Sequence, residues 1–159
     1  MPVEPSLRKV LVLVNNHFST RAAVNWAAHW AVRTGDEVAL LHVIEPEGML
    51  NIGMIQNVVR AEAWAEAERL LGTFAPLAEK MTGRPPVHII REGPLKETVR
   101  EVVKEEEANL SMLVVAASHR EKGPAPLIGY LASRMGSRVQ VPLVLVPGSL
   151  TPEKIDEIC

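Results

Sequence analysis

The chain of 159 residues carries 17 Lys and Arg against 19 Asp and Glu, a formal net charge of −2, and 47% of its residues are hydrophobic. That length suits one domain with a sizeable core, and the near-neutral balance gives no electrostatic reason to bind nucleic acid or an anionic membrane surface. The single cysteine, Cys159, excludes an internal disulfide and any cysteine-rich metal centre. Met1–Ser6 lacks the charged start and apolar run of a signal peptide, and no run of about 18 apolar residues occurs, so a cytoplasmic protein without membrane insertion is expected.

In chain order, Lys9–Val14 is a β-branched and leucine run, the pattern of a strand buried on both faces of a parallel sheet. Ser19 or Thr20 then caps a helix carrying Val24, Ala27, Ala28 and Ala31 at helical spacing, with Trp26 and Trp30 on a neighbouring face and Gly35 at its end. Glu37–Ile44 is a second strand. Residues 45–59 read as a loop leading into a helix, and their apolar Met49, Leu50, Ile52, Met54 and Ile55 suggest a lid or a partner contact over Met49–Ile55. The helix that follows places Ala67, Leu70, Leu71, Phe74, Leu77, Ala78 and Met81 on one face, with a kink expected at Pro76.

Val87–Ile90 is a third strand, and Gly93-Pro94 starts a helix with Leu95, Val99, Val102 and Val103 inward and a solvated acidic run at Glu105–Glu107. Leu110–Ala117 is the fourth strand. It opens into the loop Ser118–Pro126, after which Leu127–Tyr130 starts a helix with Leu127, Leu131, Met135 and Val139 inward. Val141–Val146 is the last strand, and 148–159 form a tail. Strand and helix alternate throughout, the rhythm of a doubly wound α/β fold: a five-stranded parallel sheet with helices on both faces. One domain over 1–159, with its core at about 8–147, is expected.

Ligands of open α/β sheets bind outside the carboxyl ends of the strands, so the segment Leu110–Tyr130 is where a site belongs. Here the chain resembles the universal stress protein family, on Ser118-His119 after a strand, Gly129 one residue into a helix and Val141–Val146. The likeness extends to Lys9–Val14, Val38–Pro46 and Arg91–Pro94. The resemblance implies strand order 3-2-1-4-5 and a homodimer joined through the last strand by Val141, Leu143, Val144, Leu145 and Val146, apolar residues at a sheet edge.

ATP-binding members of that family carry G-x-x-G, nine residues, then G-[ST], and an Asp after the first strand. Glycines there let backbone amides approach phosphate closely. In this chain Ala117 and Arg120 stand at the first two glycine positions, Tyr130 at the hydroxyl position and Asn15 at the acidic one, followed by Asn16 and His17. The spacing to Gly129 is one residue short, and Pro124 and Pro126 remove two amide donors. Gly129, His119 and Val43, at the position that lines the family's adenine pocket, remain.

The candidate ligand residues are therefore Asn15, Asn16, Val43, Ala117, His119, Arg120, Lys122, Gly123, Gly129 and Tyr130. His119, Arg120 and Lys122, with Arg134 and Arg138, form either a pocket for a phosphate or carboxylate, or a solvated loop in part neutralised by Glu121. Gly123–Ile128 resembles a branch of the family lacking the ATP signature. Catalysis is not expected: the side chains of adjacent Ser118 and His119 diverge, and the five histidines lack metal-ligand spacing, His42 reading as a structural histidine in a strand. The expectation is a dimeric stress-response binding or regulatory module without a cofactor. Its rivals are an ATP-binding or ATP-hydrolysing protein with a remodelled loop and a regulatory subunit acting on a membrane transporter.

Overall fold

The computed structural model describes residues 8–46, 53–117 and 125–159, with the backbone alone at 53–56, 125, 126 and 135–138. Five strands, β1 (Lys9–Leu13), β2 (Glu37–Ile44), β3 (Val87–Glu92), β4 (Leu110–Ala117) and β5 (Leu143–Pro147), form one sheet of order β3-β2-β1-β4-β5 with every pairing parallel. Between them run α1 (Thr20–Thr34), α2 (Gly53–Thr82), α3 (Leu95–Glu106) and α4 (Ala125–Arg138), and α5 (Pro152–Ile158) follows β5.

Side chains of a strand alternate between faces, so a continuous apolar run feeds two cores at once. Val10, Val12, Leu40 and Val114 pack on one face under α1 and α2. Leu11, Leu13, Leu41, Leu113 and Val115 pack on the other with Val99, Val102 and Val103 of α3 and Leu127 and Leu131 of α4. Leu11, Leu40, Leu71 and Leu113 are fully buried, each contributing about 1.5–3 kcal/mol on burial.

The alanines of α1 lie against the sheet, and Trp26 and Trp30 stack on each other at 5.8 Å, half-buried beside that core. Gly35 ends α1 at φ 80° and donates to the Ala31 carbonyl, as expected of an αL cap. α2 is continuous past Pro76 to Thr82, and Met81, expected inward, is exposed. The tail is more than an appendage: Thr151 Oγ1 accepts from the Lys154 amide to cap α5, Ile155 is fully buried, and His29 of α1 lies 3.1 Å from Asp156.

The acidic run at the end of α3 is engaged rather than simply solvated. Glu105 lies 4.0 Å from Arg91, Glu106 lies 3.4 Å from Lys9, and Glu107 accepts from the Gln140 amide at 2.8 Å. The last strand also begins later than its apolar pattern suggests. Val141 precedes it and is buried with the core of the α3/α4 face, and Val146 is buried as well. Of the five residues assigned to a dimer edge, Leu145 is 44% exposed and Leu143 and Val144 are half-buried, each packed against a different face of the sheet.

Candidate functional site

In a sheet of this order the succession of strands switches sides between β1 and β4, and the carboxyl ends of β1, β2 and β4 meet there. β1 is followed, after Val14, by Asn15 and Asn16. The Asn15 side-chain oxygen accepts from Thr20 Oγ1 at 2.7 Å, and its carbonyl accepts from the same hydroxyl at 3.2 Å. The residue standing at the family's acidic position is thus spent on fastening α1 to β1. Thr20 is fully buried and serves this bond, while Ser19 caps no helix amide with its side chain.

The first turn of α1 satisfies itself. The amides of Thr20, Arg21 and Ala22 donate to the carbonyls of His17, Phe18 and Ser19 at 3.1–3.2 Å. Ser19 Oγ sits 2.7 Å from His17 Nδ1, a contact that the spacing of the sequence does not announce. It resembles a nucleophile beside its base, but Ser19 is only 2% exposed and its neighbouring amides are already bonded, so neither access nor an oxyanion hole exists. Beside it, Phe18 is 67% exposed and its ring lies 4.5 Å from that of His17.

At the end of β4 the Ala117 carbonyl accepts from the Gly148 amide at 2.8 Å, tying the turn after β5 across the sheet end. A Cβ on Gly148 would lie 2.5 Å from Ser19 Cβ, so glycine is what lets that turn close on the start of α1. His119, Arg120, Lys122 and Gly123 lie outside the described residues.

Gly129 and Tyr130 are not at a helix start, as the sequence pattern suggests, because α4 begins at Ala125. The Gly129 amide therefore bonds within the helix, to the carbonyl of Ala125. Of the first three helical residues, Pro126 has no N–H to offer. Tyr130 packs beside the core of the α3/α4 face, with Lys96 Nζ and the Arg134 guanidinium each 6.0 Å from its ring centre. Arg134 thus lies one helical turn beyond Tyr130 on α4.

The end of β2 borders a groove of about 280 Å³ against α2, where Asn16, His42, Glu45 and Glu66 supply the polar groups and Val43 and Leu70 are among the apolar ones. His42 Nδ1 lies 2.8 Å from the Val14 carbonyl and must carry the proton to donate to it, as a structural histidine does. Among the described residues two carboxylates line this groove and no cation does. Among the described residues no group of His, Cys, Asp and Glu is arranged to hold a metal ion, and no helix is long and apolar enough to cross a membrane.

α2 overhangs these strand ends because of a contact absent from any sequence motif. Glu92, the last residue of β3, accepts from Arg60 Nε at 2.7 and 2.9 Å to its two oxygens, from the second guanidinium nitrogen of Arg60 and from the indole N–H of Trp64. These donors, Arg60 first and Trp64 second, lower the Glu92 carboxyl to about 2, and Glu92 in turn raises Arg60. The next residue, Gly93, has φ 147° and donates to the Ile44 carbonyl at 3.0 Å. The spacing of Arg60 and Trp64, four residues apart on one helix side, is the single sign of this clamp in the sequence.

No curated protein sequence matches the chain. Among solved structures it is similar to the universal stress protein UspA from Lactobacillus plantarum, at 14% identity and TM-score 0.70, covering 90% of this chain and 99% of that one. It is similar also to a universal stress family protein from Arabidopsis thaliana solved with AMP bound, at 20% identity and TM-score 0.61, covering 88% and 91%. A third is the universal stress protein from Archaeoglobus fulgidus in complex with dAMP, at 15% identity and TM-score 0.58, covering 92% and 99%. At these identities the likeness is one of fold. The family model for the universal stress proteins, however, matches residues 6–147, nearly the whole chain, and this protein belongs to the universal stress protein family.

Proposed function

We propose that the protein acts as a dimeric binding or regulatory module of the stress response, with no reaction of its own and no triphosphate held in the family's usual mode. The observation that carries this is the use of backbone donors. At the start of α1 the amides of Thr20, Arg21 and Ala22 are bonded to carbonyls, and the Gly129 amide is inside α4. A phosphate at the strand ends would need such amides free, and among the described residues the β2 groove offers it Glu45 and Glu66 and no cation.

The rival reading is nucleotide binding through a remodelled loop. It draws support from the fold shared with relatives solved with AMP and dAMP, and from Val43 beside an open groove. Thermal melts with ATP, ADP, AMP and cyclic AMP separate the two. The leading reading expects no shift, whereas a nucleotide at about 100 times its Kd would add about 2.7 kcal/mol to stability. Adenine absorbance released on denaturing the purified protein would favour the rival.

Dimerisation through β5 is supported by its place at the sheet edge and by Leu145. Sedimentation at micromolar concentration should give a dimer, and Leu145→Lys should shift it to monomer; a wild-type monomer would refute the assembly. The candidate partner contact at Met49–Ile55 lies mostly outside the described residues. It is supported by Val58 and Val59, 59% and 40% exposed, on the adjoining turns of α2.

A further inference from the structure

α3 and α4 run back from the carboxyl ends of the strands, so their last turns lie toward the amino ends, away from the site described above. There Arg100 and Lys104 of α3 and Arg134 of α4, with Glu101 and Val139, line a groove of about 250 Å³. Lys96, Arg100 and Lys104 are spaced four apart and so share one side of α3.

The acidic run that follows does not neutralise them. Glu105, Glu106 and Glu107 are directed to Arg91, Lys9 and the Gln140 amide respectively. Among the described residues Arg100 and Lys104 have no ion pair, so the groove holds two uncompensated cations beside Glu101 and Arg134. Lys104, in the last turn of α3, complements the helix dipole. That does not account for Arg100 in mid-helix, nor for gathering both with an arginine from a second helix. Arg134 is further placed by its position over the Tyr130 ring.

The Arg100 guanidinium fork and the Lys104 ammonium, facing one concavity with the positive charge of Arg134 beside them, suit a tetrahedral dianion, whose oxygens the fork engages in pairs. We propose that this groove binds a phosphate dianion, as a phosphomonoester or as pyrophosphate, at a site separate from the carboxyl ends of the strands. It stands independently of whether nucleotide binds there.

Calorimetric titration of the full chain with inorganic pyrophosphate, and in parallel with glycerol phosphate, tests it. Saturable binding is expected for at least one probe, and which of them binds tells pyrophosphate from phosphomonoester. Added salt should weaken it. The double variant Arg100→Gln, Lys104→Gln should lose about tenfold or more in affinity at unchanged melting temperature, while Lys154→Gln on α5 should bind as wild type. No saturable heat from either probe, or equal affinity in the double variant, overturns the proposal. If that variant fails to fold, Arg100→Lys alone decides, because keeping the charge and losing the fork must lower affinity. Titrating ATP into the wild type and the double variant separates the two sites: heat that disappears in the variant belongs to this groove, and heat that remains counts against the functional reading above.

Discussion

Gly93 follows β3 and Gly129 lies in the helix that follows β4, and their surroundings treat them in opposite ways. Gly93 has φ 147°, and a Cβ there would meet the buried Thr98 Oγ1 at 2.5 Å. Gly129 is exposed in the second turn of α4, and a Cβ there would meet nothing within 4 Å. The glycine that resembles a phosphate-binding signature is sterically dispensable. The one that no ligand motif singles out holds the end of β3 against β2 through its amide to Ile44. A glycine is informative when its backbone or its neighbours forbid a side chain, and its place in a motif does not say so.

The widest test of that contrast is to put the same methyl group at both positions. Gly93→Ala should destabilise by about 2–4 kcal/mol, the sum of a strained φ and a steric overlap. Gly129→Ala should stabilise by about 0.5–1 kcal/mol, since an exposed helix interior favours alanine. Urea unfolding of the two variants reads both, and effects of the same sign would break the comparison. If Gly129→Ala were instead neutral for stability but abolished binding of an adenine nucleotide, the phosphate-loop reading of that glycine would be restored.

A smaller effect sharpens the β3 side. Glu92 titrates near 2 in the folded protein against 4.5 when unpaired, so between those values the unfolded chain binds the extra proton. Its contribution is therefore fully present above about 4.5 and is lost as pH falls toward 2. Melting temperature followed from pH 5 to pH 2 should show this slope, and Glu92→Gln should flatten it. An unchanged slope in Glu92→Gln would mean that the clamp with Arg60 and Trp64 does not hold in solution. Because Arg60 and Trp64 are both substantially exposed, solvent screening keeps the effect modest.

Much of the architecture was legible from residue pattern alone. Lys9–Leu13, Glu37–Ile44 and Leu110–Ala117 form strands where apolar runs predict them, since such runs leave no polar face for solvent. The start of α4 was not legible: Pro124, Ala125 and Pro126 read as loop, whereas Pro is well tolerated in the first helical turn, so the helix begins two residues before Leu127. Likewise Glu105–Glu107 reads as a solvated face because nothing in the sequence places Lys9, Arg91 or Gln140 within reach.

What the amino-acid sequence determined by itself is the alternation of strands and helices, the two-sided burial of the sheet and the absence of an internal disulfide, all of which follow from local periodicity and composition. Tertiary structure alone decided which donors and acceptors remain available. The amides of α1 are consumed by their own turn, Asn15 by Thr20, and Glu92 by two side chains of a distant helix. Hydrogen bonds and ion pairs are short-ranged and directional, so a residue type states what a side chain is able to bond and only the packed fold states what it does bond.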